Sequence, residues 1–286
     1  MENFNGKVAV ITGAGRGIGR GIALRCGKEG MQVVLAGPNL SSLQNTEADL
    51  KNMGASTLIV RTDVSKRGDV ENLLTETLRA FGKVHLLVNN AGVGVWKSVL
   101  DSNYTDWAWV VGVNFNGVLY GVKTFLPIMI QQSEESHVVN VSSLNGVVAG
   151  EPMFASYSAS KQAVVGLTEA LFIELAKSAP HVHLSVYCPA QVRTDLADSE
   201  RNYPADAADK FQVTPERRAI IEGLKNELLT GVSIDKAADI LFEGLRENKL
   251  YIGPRSFLEQ FPDLPTWIRN RSENIINENN PIRFPG

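Results

Sequence analysis

Short apolar runs alternate along this chain with longer segments whose apolar residues recur at helical spacing. The runs lie at 7–11, 32–36, 57–60, 84–88, 137–141, 183–187 and 250–252. Continuous apolar runs of this length are typical of strands buried on both faces, as in parallel sheets covered by helices. The chain is therefore predicted to have an α/β fold, a doubly wound, mainly parallel sheet with right-handed crossovers.

Two segments fall outside this alternation. Residues 195–232 form a long insertion, with a helix predicted over 215–229, and residues 254–286 form a C-terminal extension. We expect a single domain over 1–253 that includes the insertion. The extension is rich in proline and has an amphipathic stretch around Trp267. The sequence leaves open whether it packs over a pocket, enlarges an oligomer interface or does neither.

Composition and charge narrow the range of partners. Of the 286 residues, 44% are hydrophobic and 21% are charged, and the formal net charge is −3. This balance gives no electrostatic reason to expect nucleic acid or an anionic membrane as a partner. No apolar stretch approaches the roughly 18 residues that span a bilayer, and the first five residues do not resemble a secretory signal.

The cysteines and histidines add two further expectations. Cys26 and Cys188 are the only cysteines, which favours a cytoplasmic protein without disulfides. No metal site is predicted, because no carboxylate or cysteine stands at ligand spacing from any of the four histidines, His85, His137, His181 and His183.

A glycine-rich turn follows the first apolar run. Residues 12–19 read Thr-Gly-Ala-Gly-Arg-Gly-Ile-Gly, and a helical pattern begins at Arg20. A strand, a glycine turn and a helix in this order are typical of a dinucleotide site. Gly13 permits the tight turn, Gly17 lets the backbone approach a pyrophosphate, and Gly19 lets the helix pack on the strand. The helix N-terminus attracts the phosphates.

Tyr157 and Lys161 lie four residues apart in a segment with helical spacing. Residues i and i+4 share one face of a helix, so a phenol and an ammonium would project into the same space. An ammonium stabilises the phenolate and lowers the pKa of tyrosine from its usual value of about 10. The pair therefore suggests a general acid/base.

These motifs occur together with others in one order along the chain. Asn89-Asn90-Ala91-Gly92 follows a predicted strand, Asn114 and the pair Ser142-Ser143 come next, and residues 189–194 follow a further strand after Tyr157 and Lys161. With T-G-x-x-x-G-x-G at 12–19, the chain resembles the short-chain dehydrogenase/reductase family over residues 7 to about 253. The resemblance implies a Rossmann fold and an NAD(P)(H)-dependent oxidoreductase that interconverts a secondary alcohol and a ketone.

The resemblance also implies four catalytic residues, Asn114, Ser143, Tyr157 and Lys161. Tyr157 is the implied acid or base at the substrate oxygen, and Lys161 the residue that holds the nicotinamide ribose and lowers the tyrosine pKa. Ser143 is the implied second donor to that oxygen, with Ser142 as the competing candidate. Asn114 is expected to hold a water linked to the lysine, although it can also satisfy backbone groups in a helix.

Cofactor-binding residues implied by the resemblance are Gly13, Gly15, Arg16, Gly17, Ile18, Gly19, Asn39, Asp63, Val64, Asn90, Ala91, Gly92, Tyr157, Lys161, Pro189, Val192 and Thr194. Asp63 is expected at the adenine and Thr194 at the nicotinamide carboxamide. No carboxylate stands at residues 36–39, where an NAD-preferring site carries one. Arg16 is placed to pair with a 2′-phosphate, so NADP(H) is favoured over NAD(H), although Asn39 could serve either.

An apolar substrate is suggested by side chains near the motifs, Val95, Trp96, Val148, Met153 and Phe154. In the family, the region equivalent to 195–232 covers the substrate, which makes the insertion a candidate lid. A homodimer or homotetramer is expected, because the helices over 104–131 and 156–178 carry dense apolar residues.

Two other functions compete with this interpretation. One is a nucleotide-sensing binding protein without turnover, which would need only the glycine turn. The other is an epimerase or dehydratase of the extended branch of the family, which carries T-G-x-x-G-x-x-G and a larger C-terminal substrate domain.

Overall fold

A computed structural model describes residues 1, 3–204 and 214–280. Within them, seven strands form one sheet in the order β3-β2-β1-β4-β5-β6-β7, and every neighbouring pair is parallel. The strands are β1 Val8–Thr12, β2 Gln32–Gly37, β3 Thr57–Arg61, β4 Leu86–Asn89, β5 Ser136–Val141, β6 Val182–Tyr187 and β7 Tyr251–Ile252. The predicted doubly wound parallel sheet is confirmed.

Helices cover both faces of the sheet, as its apolar strands require. They are α1 Gly17–Lys28, α2 Leu40–Asn52, α3 Arg67–Phe81, α4 Tyr104–Val111, α5 Gly117–Gln131, α6 Ala155–Ser178, α7 Pro215–Thr230, α8 Ile234–Arg246 and α9 Leu264–Ile276. A π-helical turn, Gly112–Asn116, joins α4 to α5. The helix predicted over 215–229 is present as α7.

Alternate side chains of β1 pack in two different hydrophobic clusters, one on each face of the sheet. Ala9 and Ile11 pack in a buried cluster with residues of α1 and α8, whereas Val8 and Val10 pack in a second cluster with residues of α5. Successive side chains of a strand point to opposite faces of its sheet. A strand that is buried on both faces therefore reads as a continuous apolar run.

The strand order reverses beside β1, which pairs with β2 on one side and with β4 on the other. In open α/β sheets, ligands bind beyond the carboxyl ends of the strands at such a switch point. The glycine turn follows β1, residues 89–92 follow β4, and the Ser142-Ser143 pair follows β5. The fold therefore brings these motifs to one edge of the sheet.

The insertion and the extension pack near that edge. The described part of the insertion contains a 3-10 segment, Leu196–Asn202, and α7, while residues 205–213 of the predicted lid lie outside the described residues. The extension contains a 3-10 turn, Pro254–Phe257, and α9, and its residues 281–286 also lie outside them. No helix of the described chain is long and apolar enough to cross a membrane.

Candidate active site

Tyr157 lies in the first turn of α6 and is almost completely buried, with 7% of its surface exposed. Its ring contacts the indole of Trp96, with the ring centroids 5.7 Å apart. The side chain of Ser143 faces its hydroxyl and favours the phenolate, which lowers the pKa of Tyr157 against the effect of burial. The phenol is therefore held between an aromatic wall and a second hydroxyl, which are the surroundings that a proton donor to a carbonyl oxygen needs.

The two serines after β5 face different partners. Ser142 Oγ donates to the carbonyl oxygen of Lys161 at 2.8 Å and is 2% exposed, so its hydroxyl is committed to the packing of α6 on the sheet. Ser143 Oγ accepts from the amide of Asn145 at 3.3 Å and interacts with Tyr157. Of the two candidates, Ser143 is therefore the one that reaches the phenol.

Lys161 is 3% exposed, and its ammonium donates to the carbonyl oxygen of Val141 at 2.9 Å. Its Nζ lies 5.7 Å from the centre of the Tyr157 ring. Phenol and ammonium therefore share one face of α6, as the four-residue spacing predicts. Burial lowers the pKa of Lys161 to about 8.

The expected fall in the pKa of Tyr157 does not occur in this structure. Burial raises the pKa of Tyr157, and the hydrogen bond with Ser143 partly opposes that rise. Lys161 does not offset the burial, because its ammonium is bound to Val141 and its own pKa is lowered. Ser143, rather than Lys161, is the group that favours the phenolate here.

Burial of Lys161 also predicts a pH-dependent stability. Below pH 8 the ammonium is charged in both states, and the folded state carries the full cost of burying it. Between pH 8 and 10.5, the ordinary lysine value, the folded state loses the proton first, so the free energy of unfolding rises with pH. Relative to Lys161→Met, we expect the wild type to gain roughly 3 kcal/mol over that interval.

Urea unfolding of the nucleotide-free protein at several pH values between 7 and 10 measures this gain. Lys177→Met is the matched control, since Lys177 is an exposed residue near the end of the same helix. The control should follow the wild-type pH dependence. Parallel curves for the wild type and Lys161→Met would show that Lys161 is not buried as a charge.

Asn114 lies in the π-helical turn and is completely buried. Its side chain accepts from the amide of Val93 and donates to the carbonyl oxygen of Val93, both at 2.9 Å. It also donates to Ser160 Oγ at 3.0 Å, and that hydroxyl donates to the carbonyl oxygen of Tyr157. Asn114 thus ties the loop after β4 to the first turn of α6. The water expected at Asn114 stays a prediction.

The turn after β1 has the shape of a phosphate cradle. Gly17 has a φ of +52°, in the left-handed region that favours glycine, and α1 begins at that residue. A Cβ on Gly19 would lie 2.3 Å from the carbonyl oxygen of Gly13, so the helix start packs directly on the turn. Arg16 is the N-cap residue, but its side chain turns to Asp195 instead of capping the helix. The first amides of α1 therefore fit an anion such as a pyrophosphate.

Residues expected at the adenosine end lie where β2 and β3 end. Asn39 caps α2 by accepting from the amide of Ser42 at 3.1 Å. Asp63 accepts from the amide and hydroxyl of Ser65 at 3.1 and 2.6 Å. Val64 is buried against Gly117. Both polar side chains have local structural partners, and their contacts to a nucleotide stay predictions.

The remaining expected residues lie between the glycine turn and α6. Asn90 donates from its side chain to the carbonyl oxygen of Thr12 at 2.9 Å. A Cβ on Gly92 would lie 3.4 Å from Lys161 Nζ. Thr194 is the nearest side chain to Gly17, at 3.1 Å from a Cβ built there. Gly15 and Ile18 belong to the glycine turn and the start of α1, Ala91 follows β4, and Pro189 and Val192 follow β6.

Aromatic and aliphatic side chains pack around Tyr157. The rings of Trp96 and Phe154 are tilted by 50° with centroids 4.7 Å apart, and the indole Nε1 donates to the carbonyl oxygen of Ala197 in the insertion at 3.1 Å. Ile221 of α7 packs in the same cluster, with Leu196, Ile220 and Leu224. The described part of the insertion therefore covers Tyr157 with apolar side chains.

Two of the five residues proposed for the pocket pack in clusters that do not include Tyr157. Val95 packs with Val93, Trp109 and Val110. Val148 packs with Leu144 and Leu264 of the C-terminal extension. Only the tertiary structure reveals that contact. Trp96 and Phe154 do lie beside Tyr157.

Three contributors to the site were missed by the sequence analysis. Thr12 Oγ1 accepts from the amides of Asn90 and Ala91, at 2.9 and 3.1 Å, and so joins the glycine turn to the loop after β4. Its position before Gly13 was a signal that could have been used. Ser160 and Gln162 flank Lys161, but their partners come from loops far away in sequence.

Comparisons with known proteins place residues 7–204 in a match to the family model described as short chain dehydrogenase. The CLA biosynthesis dehydrogenase/reductase of Lactiplantibacillus plantarum is 32% identical over 98% of this chain and 97% of its own length. The 3beta-hydroxysteroid dehydrogenase of Mediterraneibacter gnavus is 34% identical over 81% of this chain and 82% of its own. A short chain dehydrogenase/reductase from Burkholderia phymatum, solved in complex with NAD, is 40% identical, with a TM-score of 0.93 and full coverage of both chains.

Proposed function

The chain belongs to the short-chain dehydrogenase/reductase family of oxidoreductases, and we propose that it interconverts a secondary alcohol and a ketone with a nicotinamide dinucleotide. The observation that carries this proposal is the buried group formed by Ser143, Tyr157 and Lys161 at the opening of the glycine turn. A nucleotide sensor without turnover has no use for such a group. The glycine spacing also differs from that of the extended branch.

In the proposed reaction, Tyr157 exchanges a proton with the substrate oxygen, and Ser143 donates a second hydrogen bond to that oxygen as charge develops on it. When bound, the nicotinamide supplies or accepts the hydride. Lys161 is the proposed partner of the nicotinamide ribose, and Asn114 holds the chain around the site. Burial of Tyr157 excludes water, so the proton moves only through positioned groups.

An apolar substrate is the second part of the proposal. Trp96, Phe154 and Ile221 supply flat and aliphatic surface next to the proton donor. The relative from Mediterraneibacter gnavus is named for a hydroxysteroid, which is also a large apolar alcohol. We expect aryl, fatty-chain or steroid alcohols to be better substrates than small charged metabolites.

A substrate panel tests the reaction and the substrate class together. Purified protein is incubated with 1-phenylethanol, 2-octanol, a 3β-hydroxysteroid and lactate, each with NAD⁺ and with NADP⁺, and nicotinamide absorbance is followed. The corresponding ketones test the reverse direction. Turnover of an apolar alcohol or ketone supports both parts of the proposal. Turnover of lactate alone would support the reaction but contradict the apolar substrate class, and no turnover of any member contradicts the reaction.

Preference for NADP(H) over NAD(H) rests on this chain's own residues, since the solved relative from Burkholderia phymatum holds NAD. Asn39 is exposed and leaves no carboxylate near a 2′-phosphate at the end of β2. Arg16 and its partner Asp195 are both more than half exposed, so the pair at 3.1 Å contributes little and can be exchanged for a phosphate.

Arg16→Ala should therefore lower kcat/KM for NADPH about ten-fold while changing that for NADH little, because a charge-assisted bond to the phosphate is lost. Steady-state kinetics with both cofactors on one ketone measure this. Arg20→Ala is the matched control, since Arg20 lies on α1 and pairs with Asp49. A wild-type preference for NADH, or unchanged NADPH efficiency in Arg16→Ala, would overturn the proposed preference.

We also propose a homodimer or homotetramer, formed through α6. One stripe of this helix is exposed and consists of small or aliphatic residues, Ala159, Ala163, Gly166, Ala170 and Ile173. Small residues let a second copy of the helix approach closely, and a two-fold axis would pair the stripe with itself. The cytoplasmic location expected from the two cysteines stays a proposal.

Gly166→Arg is expected to reduce the mass measured by light scattering to that of a monomer. A Cβ at Gly166 meets no atom of the described chain within 4 Å, so the arginine fits the protomer and disturbs only a neighbour. Gly68→Arg on α3, equally open, should leave the mass unchanged. A wild-type monomer at micromolar concentration, or an unchanged mass for Gly166→Arg, would contradict an α6 interface.

A further inference from the structure

The loop that carries Ser143 is short. It consists of a 3-10 turn, Leu144–Gly146, and the residues that follow it. On one side, the amide of Leu144 donates to the carbonyl oxygen of Pro189 at 3.1 Å. On the other side, two polar side chains of α6 contact the loop. Ser158 Oγ accepts from the side-chain amide of Asn145 at 3.2 Å, and Gln162, which directly follows Lys161, binds the backbone of the loop.

Gln162 binds the loop through its amide nitrogen. Nε2 donates to the carbonyl oxygens of Asn145 and Val148, at 3.4 and 3.2 Å. The two hydrogens of one side-chain amide therefore span the loop just beyond Ser143. A glutamine has the length to do this from α6, whereas an aliphatic side chain in its place would leave both carbonyl groups without this donor.

Arg271 of α9 fixes the orientation of that amide. Its Nη2 donates to Gln162 Oε1 at 3.2 Å. A guanidinium only donates hydrogen bonds, so the amide oxygen must face Arg271 and the amide nitrogen must face the loop. Rotation of the amide by half a turn would break all three contacts.

Apolar packing brings the C-terminal extension to the same place. Leu264, 1% exposed, packs with Leu144 and Val148 of the loop, and Trp267 and Ile268 adjoin this cluster. Gln260 donates to the carbonyl oxygen of Gln191 at 3.3 Å, in the neighbouring loop after β6. The extension thus packs against the loop after β5 and the loop after β6.

We propose that Gln162 and Arg271 are positioning residues for Ser143, and that residues 254–276 act as the support of the catalytic loop. The inference rests on the proposed function. Arg271 orients Gln162, Gln162 holds the carbonyl groups of the loop, and the loop sets the distance between Ser143 and Tyr157. Because a small displacement of a catalytic group is costly, support from outside the catalytic core contributes to the rate.

Four variants test whether Gln162 and Arg271 hold the loop that carries Ser143. Gln162→Met removes the donors and keeps the length, and Gln162→Glu keeps an acceptor for Arg271 but cannot donate to the loop. Arg271→Met removes the orienting group, and Arg271→Lys restores a donor. Arg269→Met, on an exposed position of α9, is the matched control. The full-length protein is used throughout.

Kinetics with the best substrate of the panel give the first measurement. Gln162→Met and Gln162→Glu should each lower kcat about ten-fold, with little change in KM for the cofactor, because the hydroxyl of Ser143 is displaced. Arg271→Met should have a smaller effect that Arg271→Lys partly rescues. In the double variant with Gln162→Met, Arg271→Met should add nothing, since Arg271 acts through Gln162.

The pH dependence of alcohol oxidation gives the second measurement. Substitution of a residue with a purely structural role would not change this pH profile. The hydrogen bond with Ser143 favours the Tyr157 phenolate and opposes the effect of burial on its pKa. Loss of that bond should raise the pKa governing kcat in Gln162→Met, relative to the wild type and to Arg269→Met. In a Ser143→Ala background, Gln162→Met should produce no further shift.

Hydrogen–deuterium exchange measures how often the backbone of the loop opens, and it needs no substrate. The amides of Gly146, Val147 and Val148 are bonded within the loop, and they should exchange several-fold faster in Gln162→Met and Arg271→Met than in Arg269→Met. Unchanged exchange overturns the inference, and so does faster exchange with wild-type kcat and pH profile. A wild-type protein without turnover contradicts the proposed function alone, because exchange still decides whether Gln162 and Arg271 hold the loop.

Discussion

Tyr157→Phe is expected to lower kcat by about 10²–10⁴-fold, the usual contribution of general acid/base catalysis. The phenylalanine ring keeps the packing against Trp96 and Phe154, so the pocket retains its shape. What is lost is the proton donor and its hydrogen bond with Ser143. Affinity for the cofactor should stay within a few-fold, because the ring is not part of the glycine turn.

Turnover is followed by nicotinamide absorbance on the best substrate of the panel, and cofactor affinity by quenching of tryptophan fluorescence. Tyr104→Phe is the matched control, since Tyr104 is 95% exposed at the start of α4 and should keep wild-type kcat. If Tyr157→Phe retains more than about a tenth of the wild-type kcat, the role of Tyr157 as general acid/base is wrong. A large loss of cofactor affinity would instead point to a structural role.

Asp106→Ala is expected to reduce the free energy of unfolding by about 3 kcal/mol, since it breaks a buried ion pair and removes the acceptor of several buried hydrogen bonds. Asp106 is completely buried and pairs with Lys97, which is 14% exposed, at 2.7 Å. It also accepts from the backbone amide of Asn103 and from the hydroxyl of Tyr203, both at 3.0 Å. One carboxylate thus holds the start of α4, the loop after β4 and the insertion.

Urea unfolding at neutral pH measures the loss. Asp101→Ala is the control, because Asp101 is an exposed residue near Asp106 that hydrogen-bonds Ser98 and should cost little. The loss in the free energy of unfolding for Asp106→Asn should lie between those of Asp101→Ala and Asp106→Ala, because asparagine still caps α4 but carries no charge. KM for the substrate should also rise in Asp106→Ala, because Tyr203 anchors the insertion. A loss below about 1 kcal/mol would show that Lys97 is solvated without Asp106.

The spacing of apolar residues and the residues of the turns were sufficient to predict the sheet. A strand buried on both faces must be continuously apolar, so the strands could be read from the chain, and all seven lie within two residues of their predicted limits. The glycine turn could be predicted equally well, because the left-handed φ of Gly17 favours glycine and the contact of Gly19 with Gly13 leaves no room for a Cβ. The spacing of Tyr157 and Lys161 guaranteed a shared helix face.

Electrostatics at the site could not be predicted in the same way. From their spacing, Lys161 is expected to lower the pKa of Tyr157, yet its ammonium donates to Val141 and burial dominates the pKa of both groups. A pKa depends on solvent exclusion and on the direction of each donor, and neither is encoded in a four-residue spacing. The choice between Ser142 and Ser143 likewise needed the position of α6 against β5.

The chain by itself thus determined the parallel sheet, the dinucleotide turn and the order of the catalytic motifs, because these follow from local periodicity and from residues with special backbone geometry. The tertiary structure decided which side chains meet. Val95 packs in a cluster without Tyr157, Trp96 donates to Ala197 of the insertion, and Arg271 of the C-terminal extension donates to Gln162. Contacts between residues far apart in sequence arise only when the whole core packs, and no local pattern specifies them.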